Sequence, residues 1–90
     1  MNMEKTDKKI FIKFDNGEEA FVKFKIEKKT LIVTTTYVPD CQRGKGIAKK
    51  LNKELVKIAI ERKMKIYPLC NYTEKFLKRE KLFHLISNIY

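Results

Sequence analysis

The sequence predicts one small α/β domain, a mixed sheet in the order β-β-β-α-β-α, with antiparallel hairpins followed by a single parallel β-α-β crossover. Three observations carry this expectation. Apolar residues alternate through the first part of the chain, their spacing lengthens to a helical period from Lys45, and "MKIYPL" then reads as a short strand before a last amphipathic stretch. Ninety residues make one domain, 1–90, near the size at which a single core suffices without staples.

Residues 1–8 read as a loose N-terminus. Ile10, Ile12 and Phe14 alternate with Phe11 and Lys13, and Asp15-Asn16-Gly17 is a tight hairpin signal. Ala20, Val22, Phe24 and Ile26 alternate with Phe21, Lys23, Lys25 and Glu27, the pattern of a half-buried strand with one wet face. Glu27-Lys28-Lys29-Thr30 turns the chain again. Leu31 to Val38 is β-branched almost throughout, as a central strand is, and Pro39 ends it.

From Lys45, Ile47, Ala48, Leu51, Leu55, Ile58 and Ala59 fall on one helical stripe that leaves Lys49, Lys50, Lys53 and Lys57 outside it, to about Arg62. The strand in "MKIYPL" stops near Pro68. Asn71 and Thr73 are the capping candidates for a last helix within "TEKFLKREKLFHLIS", with Phe76, Leu77 and Phe83 turned inward. No repeat, linker or low-complexity tract interrupts the chain.

Composition excludes several classes. A hydrophobic share of 43% is too high for a disordered chain. No run approaches the roughly 18 apolar residues of a membrane span, and "MNMEKTDKK" has no apolar signal region, so a soluble, cytoplasmic protein is expected. Cys41 and Cys70, the only cysteines, read as reduced thiols, and with the single His84 they form no zinc spacing, so no metal is expected. His84 reads as structural. The net charge of +10 predicts attraction to anions: nucleic acid, acidic proteins or a phosphorylated small molecule. Only three of the 21 cations are arginine, which disfavours nucleic acid, whose modules add arginines and exposed stacking aromatics.

The chain holds three glycines, and two of them, Gly44 and Gly46, lie between the central strand and the long helix. Glycines there expose backbone N–H groups at a helix start, whose positive end suits phosphate oxygens, and they let a diphosphate approach the backbone. Arg43 and Lys45 add charge beside them. A plain helix-start loop would need only one glycine.

Arg43-Gly44-Lys45-Gly46-Ile47-Ala48 resembles the acyl-CoA signature of the GNAT superfamily of N-acetyltransferases, Arg/Gln-x-x-Gly-x-Gly/Ala, at the same place between a strand and a helix. Nearly the whole chain is similar to the small single-domain GNAT-like proteins of the YjdJ type, which lack the first helices of larger relatives. Their Val-Pro before the glycine loop is matched by Val38-Pro39, and their Pro-x-Cys-x-Tyr by Pro68-Leu69-Cys70-Asn71-Tyr72.

The resemblance implies a truncated GNAT fold and an N-acetyltransferase that moves acetyl from acetyl-CoA to an amine of a small molecule or protein. It implies a CoA diphosphate on the N–H groups of Gly44, Gly46, Ile47 and Ala48, with Arg43 and Lys45 adding charge. It further implies pantetheine along Tyr37 and Val38, near Asn71, with the Val38 N–H as donor to the thioester oxygen. Cys70 and Tyr72 are the candidates for the remaining chemistry, Cys70 as proton donor or acetyl acceptor. Where the small family reads His-Thr-Glu-Val-Pro, this chain reads Thr35-Thr36-Tyr37-Val38-Pro39, so the glutamate that serves as base there is a tyrosine here. A CoA-binding module with little catalysis is therefore the competing reading. With no acceptor-shaping elements, the acceptor side is an open groove or a pocket completed by a second copy.

Overall fold

The computed structural model describes residues 3–87. Five strands form one sheet: β1 (Met3–Lys5), β2 (Lys9–Lys13), β3 (Glu19–Glu27), β4 (Thr30–Tyr37) and β5 (Lys65–Pro68). Helix α1 (Ile47–Glu61) links β4 to β5, and α2 (Asn71–Arg79) follows β5; single 3-10 turns lie at Asp40–Gln42 and Phe83–Leu85. Strand order in space equals order in the chain, with β4–β5 the parallel pair and the others antiparallel. The expected mixed sheet with one crossover is the observed fold.

The expected loose N-terminus is corrected at Met3–Lys5, which pairs with Ile10–Ile12 as an edge strand. Lys5 also forms an ion pair with Glu54 of α1. Three residues with one apolar member carry no alternation from which a strand is read.

One sheet face and the helices make the core. Ile10, Ile12, Ala20, Val22, Phe24, Leu31, Val33 and Ile66 meet Ile47, Leu51, Leu55 and Ala59 of α1 and Phe76 and Leu77 of α2 in one cluster. Each such large apolar side chain contributes about 1.5–3 kcal/mol by burial. The opposite face carries a cross-strand aromatic row, Phe11 opposite Phe21 and Phe21 opposite Tyr37. Lys9 Nζ lies 4.6 Å from the Phe11 ring centre and Lys23 Nζ 5.0 Å from that of Phe21, so lysine stems and charges cover these rings.

Register shifts once. Lys23 faces Thr35 whereas Phe24 faces Val33, which leaves Thr34 as an extra residue in β4. The bulge reverses the alternation: Leu31 and Val33 point to the helices, and beyond it Thr36 does so instead of Thr35.

Lysine occupies every non-glycine left-handed position among the described residues: Lys28 (φ 49), Lys29 (φ 60), Lys63 (φ 56) and Lys81 (φ 58). Lys28 and Lys29 form the two-residue turn between the paired Glu27 and Thr30. Lys63 ends α1, where Met64 N–H donates to Ala59 O (2.8 Å) and Lys63 N–H to Ile60 O (3.2 Å). Lys81 ends α2 in the same way through Leu82 and Leu77 (2.8 Å). The last helix is therefore shorter than its apolar pattern predicts. Phe83 is exposed rather than inward, and Leu85 is buried in its stead. Ser87 N–H donates to Ile66 O (2.8 Å), so this segment lies along the free edge of β5. No helix among the described residues is long and apolar enough to cross a membrane.

Candidate functional site

Two neighbouring strands part company at one point. β5 pairs with β4 only along Thr30–Val33, and it ends at Pro68, which has no N–H to continue the ladder. Leu69 and Cys70 both donate their N–H to Val33 O, at 2.9 and 3.1 Å, and the chain turns into α2. Past the bulge at Thr34, β4 runs on to Tyr37 with no strand among the described residues on its β5 side.

The gap is a cleft of about 360 Å³. It is lined by Thr36, Tyr37 and Val38 from the end of β4, by Gln42, Arg43 and Gly44 from the loop, by Gly46, Ile47 and Ala48 from the start of α1, and by Tyr72 from α2. A larger depression of about 730 Å³ lies around Thr6–Lys9 and Lys23–Ile26. It contains no helix start and no thiol, so size alone does not mark it as the chemical site.

Helix α1 begins in an unusual way. Its N-cap is Gly46 at φ 75, no side chain caps it, and its first turn has no acidic residue. A helix start normally gains about 1 kcal/mol from a Ser, Thr, Asp or Asn cap, and acidic residues complement its positive end. Here the orphan N–H groups have neither. A Cβ on Gly44 (φ 81) or Gly46 would meet nothing within 4 Å. Left-handed backbone accounts for a glycine at each position, yet this chain tolerates lysine at four such positions. What glycine adds at 44 and 46 is open space over bare amides.

Arg43 is held at the edge of this cleft. Its Nε donates to Val38 O (3.1 Å) and its Nη1 pairs with Asp40 Oδ1 (2.8 Å). That ion pair is exposed and so adds little stability, but it fixes the side chain. Lys45 Nζ donates to Gln42 Oε1 (3.1 Å), and Lys45 is not part of the lining.

Beneath Thr36 lies a buried polar cluster. Asn52 and Thr73 have no solvent exposure. Thr73 Oγ1 donates to Asn52 Oδ1 at 2.7 Å, and Asn52 Nδ2 donates to Ala48 O at 2.9 Å. Asn52 Nδ2, Thr73 Oγ1 and Cys70 Sγ each lie 3.4 Å from Thr36 Oγ1.

Cys70 is half-buried and is the N-cap of α2, the place expected for Asn71 or Thr73. Desolvation pushes its thiol pKa up. Hydrogen bonding with Thr36, with the Thr73 backbone and side chain and with the Tyr72 backbone outweighs this, so the thiol sits below its ordinary value. Cys41 is the reverse case. The hydrogen bond to Glu18, desolvation and the charge of Glu18 raise its thiol, despite nearby Lys45. Cys41 Sγ lies 3.2 Å from Glu18 Oε1 on the protein surface.

The structure thus brings Tyr37, Val38, Arg43, Gly44, Gly46, Ile47, Ala48 and Tyr72 to one cleft, with Cys70 adjoining it through Thr36. Asn71 is exposed at the first position of α2 and is not part of the lining. Thr36, Gln42 and Asn52 were not singled out by sequence, and Thr73 was read only as a capping candidate. Asn52 had a legible signal: it falls four residues after Ala48, on the apolar stripe. Among the described residues no group of three or more His, Cys, Asp or Glu side chains could hold a metal ion.

A sequence model of the family described as GCN5-related N-acetyl-transferase matches residues 9–86. The chain is similar to Protein NATD1 of Xenopus tropicalis, 39% identical over 57 residues, covering 63% of this chain and 52% of that one. The human Protein NATD1 is 35% identical over 57 residues, covering 63% and 50%. The chain spans about half the length of these curated relatives. The NMR solution structure of a GCN5-like chain from Staphylococcus aureus superposes with a TM-score of 0.77 at 23% identity, covering 99% of this chain and 90% of that one. That likeness concerns the fold.

Proposed function

Because the chain belongs to the family of GCN5-related N-acetyl-transferases, we propose that its cleft binds acetyl-CoA and delivers the acetyl group to an amine of a small molecule or an exposed protein chain. The single observation behind this reading is the uncapped start of α1, where Gly44 and Gly46 leave open space over backbone amides. A diphosphate supplies the negative charge and acceptor oxygens which that helix end lacks. The N–H groups of Gly44, Gly46, Ile47 and Ala48 are its donors, and Arg43 and Lys45 supply charge.

The free edge of β4 suits an extended, amide-bearing arm. Tyr37 and Val38 offer backbone groups that no β5 residue uses, and Asn71 stands at the start of the neighbouring helix. We assign the Val38 N–H as donor to the thioester oxygen, a role that matters most when charge develops there. Acetyl-CoA supplies an activated thioester. Cys70, with its lowered thiol pKa, and Tyr72, in the cleft lining, are the two groups assigned to proton transfer or acyl capture.

One observation favours a second reading, a CoA-binding module with little catalysis. Among the described residues the cleft lining contains no carboxylate and no imidazole, and the nearby Asp40 carboxylate is engaged by Arg43. In the first reading water takes the amine proton, or a second copy of the chain completes the acceptor side.

Calorimetry with CoA and with pantetheine lacking the diphosphate tests the proposal. CoA is expected to bind far more tightly, and equal affinities would sink it. Turnover of acetyl-CoA on a panel of amines then separates transferase from binding module.

A further inference from the structure

The hydrogen bonds around Thr36 can be assigned proton by proton. A carbonyl only accepts, so the Asn52 nitrogen is the atom facing Ala48 O at 2.9 Å, and its Oδ1 is the acceptor for Thr73 at 2.7 Å. The Thr73 hydroxyl proton is therefore committed to Asn52. Asn52 Nδ2 can only donate, and its second proton points to Thr36 Oγ1 at 3.4 Å. A neutral Cys70 thiol donates to the second lone pair of that same oxygen, also at 3.4 Å. Among its side-chain neighbours the Thr36 proton then has one remaining acceptor, Thr73 Oγ1, at 3.4 Å. Among the described residues every buried polar side-chain atom has a hydrogen-bond partner.

When Cys70 loses its proton, one change suffices. The sulfur becomes an acceptor, and the Thr36 O–H can turn from Thr73 to face it. Thr73 keeps its short bond to Asn52, and Asn52 keeps both of its donations. The two short bonds hold the outer members still, and the three long contacts leave the central hydroxyl free to rotate.

We propose that Thr36 is a positioning residue of the cleft, whose one hydroxyl proton is directed by Asn52 and Thr73 so that it turns onto Cys70 and stabilises the sulfur as a thiolate. The S–H bond is the only one broken, and its proton goes to solvent. This role rests on Cys70 taking part in the chemistry proposed above, but the thiolate device itself needs no CoA.

Charged groups do not provide a rival explanation. From β4 the residues on this side are Val33 and Thr36, and from α1 they are Ala48 and Asn52. On α2, Glu74 of the first turn pairs with Lys78 (3.2 Å), and on β5 Lys65 donates to His84 O. Tyr67, Tyr72 and Lys75 are the other titratable neighbours in sequence. The groups that lower the Cys70 thiol are hydroxyls and backbone amides, not cations.

The test is the pH dependence of iodoacetamide alkylation of Cys70, without ligand, in a Cys41→Ala background. Thr36→Ser keeps the proton and should keep the alkylation midpoint. Thr36→Val should raise it by about one unit and slow alkylation at neutral pH about tenfold, the effect of losing one charge-assisted hydrogen bond. Thr36→Ala, which adds no bulk, serves as a second hydroxyl-free variant if the valine chain does not fold. A valine or alanine variant that titrates like the parent overturns the proposal, and so does a serine variant that behaves like valine. Melting with and without CoA is measured alongside. Loss of the CoA shift in the parent would defeat the acetyl-CoA reading while leaving the alkylation result to decide the role of Thr36.

Discussion

Gly46 and Lys63 hold left-handed backbone at opposite ends of α1, at φ 75 before its first residue and φ 56 after its last. The conformation does different work at each end. At Lys63 it folds the chain back so that Met64 N–H meets Ala59 O, which satisfies an orphan carbonyl. At Gly46 no side chain returns to the helix, and the amides stay open.

Gly46→Val is expected to leave a folded domain that no longer binds CoA. The new Cβ meets no protein atom, so packing is undisturbed, although left-handed backbone costs a non-glycine residue about 1–2 kcal/mol. The branched side chain would stand in the space proposed for the diphosphate. Circular dichroism and calorimetry check the two halves separately; normal CoA affinity in a folded variant contradicts the site.

Lys63→Gly and Lys81→Gly should each stabilise the domain by about 1 kcal/mol, because glycine takes this backbone without a Cβ penalty. Replacing Lys28-Lys29 by Asn-Gly should act alike in the two-residue turn. For a domain this size each change should raise Tm by roughly 4–8 °C. Thermal melts would show it, and an unchanged or lower Tm would mean that the turns are not strained.

Cys70 should react with iodoacetamide faster than Cys41 at neutral pH, although Cys41 is the more exposed thiol. Thiolate fraction decides, and the two thiol pKa values are shifted in opposite directions. Bound CoA should protect Cys70. A slower Cys70, or one indifferent to CoA, would make it a packing residue.

The lowered Cys70 pKa also sets a pH dependence with a definite sign. The folded state holds the thiolate more readily than the unfolded one, so the unfolded chain binds more protons between the two pKa values. This contribution to stability is fully present above the unfolded thiol pKa and is lost as pH falls through the folded one. Cys70→Ala should therefore flatten the rise in stability across that window in urea titrations. An identical slope in parent and variant would refute it.

Asn52→Leu should cost about 2–3 kcal/mol, since it strips the buried Thr73 hydroxyl of its acceptor. Asn71→Ala, at an exposed position, should change stability by no more than about 0.5 kcal/mol. Urea denaturation of both variants checks the contrast, and similar losses would contradict it.

These contrasts show where sequence informs and where it does not. The apolar stripe from Ile47 to Ala59 was legible because burial follows helical period, and so were the hairpins. Asn52 lies on the same stripe, which marks it as inward, but its partner Thr73 is supplied by another helix and cannot be read from the stripe. The bulge at Thr34 is invisible in a run of β-branched residues, any of which suits either sheet face. It nonetheless decides that Thr36 rather than Thr35 meets the cleft. The early end of α2 is hidden for a similar reason, since lysine at Lys81 gives no stop signal where glycine would. Cys70 as N-cap was missed because thiols rank low among capping groups.

The strands stand in space in the order in which they are written. Each early pairing closes only a short loop, so the first four strands can assemble at little entropic cost. The pairing of Val33 with Pro68 is different, because it must bring together chain separated by the whole of α1. The cleft does not exist until that closure is made. A ligand of the cleft therefore meets the protein after the folding barrier rather than before it. In stopped-flow experiments CoA should slow unfolding and leave the refolding rate where it was.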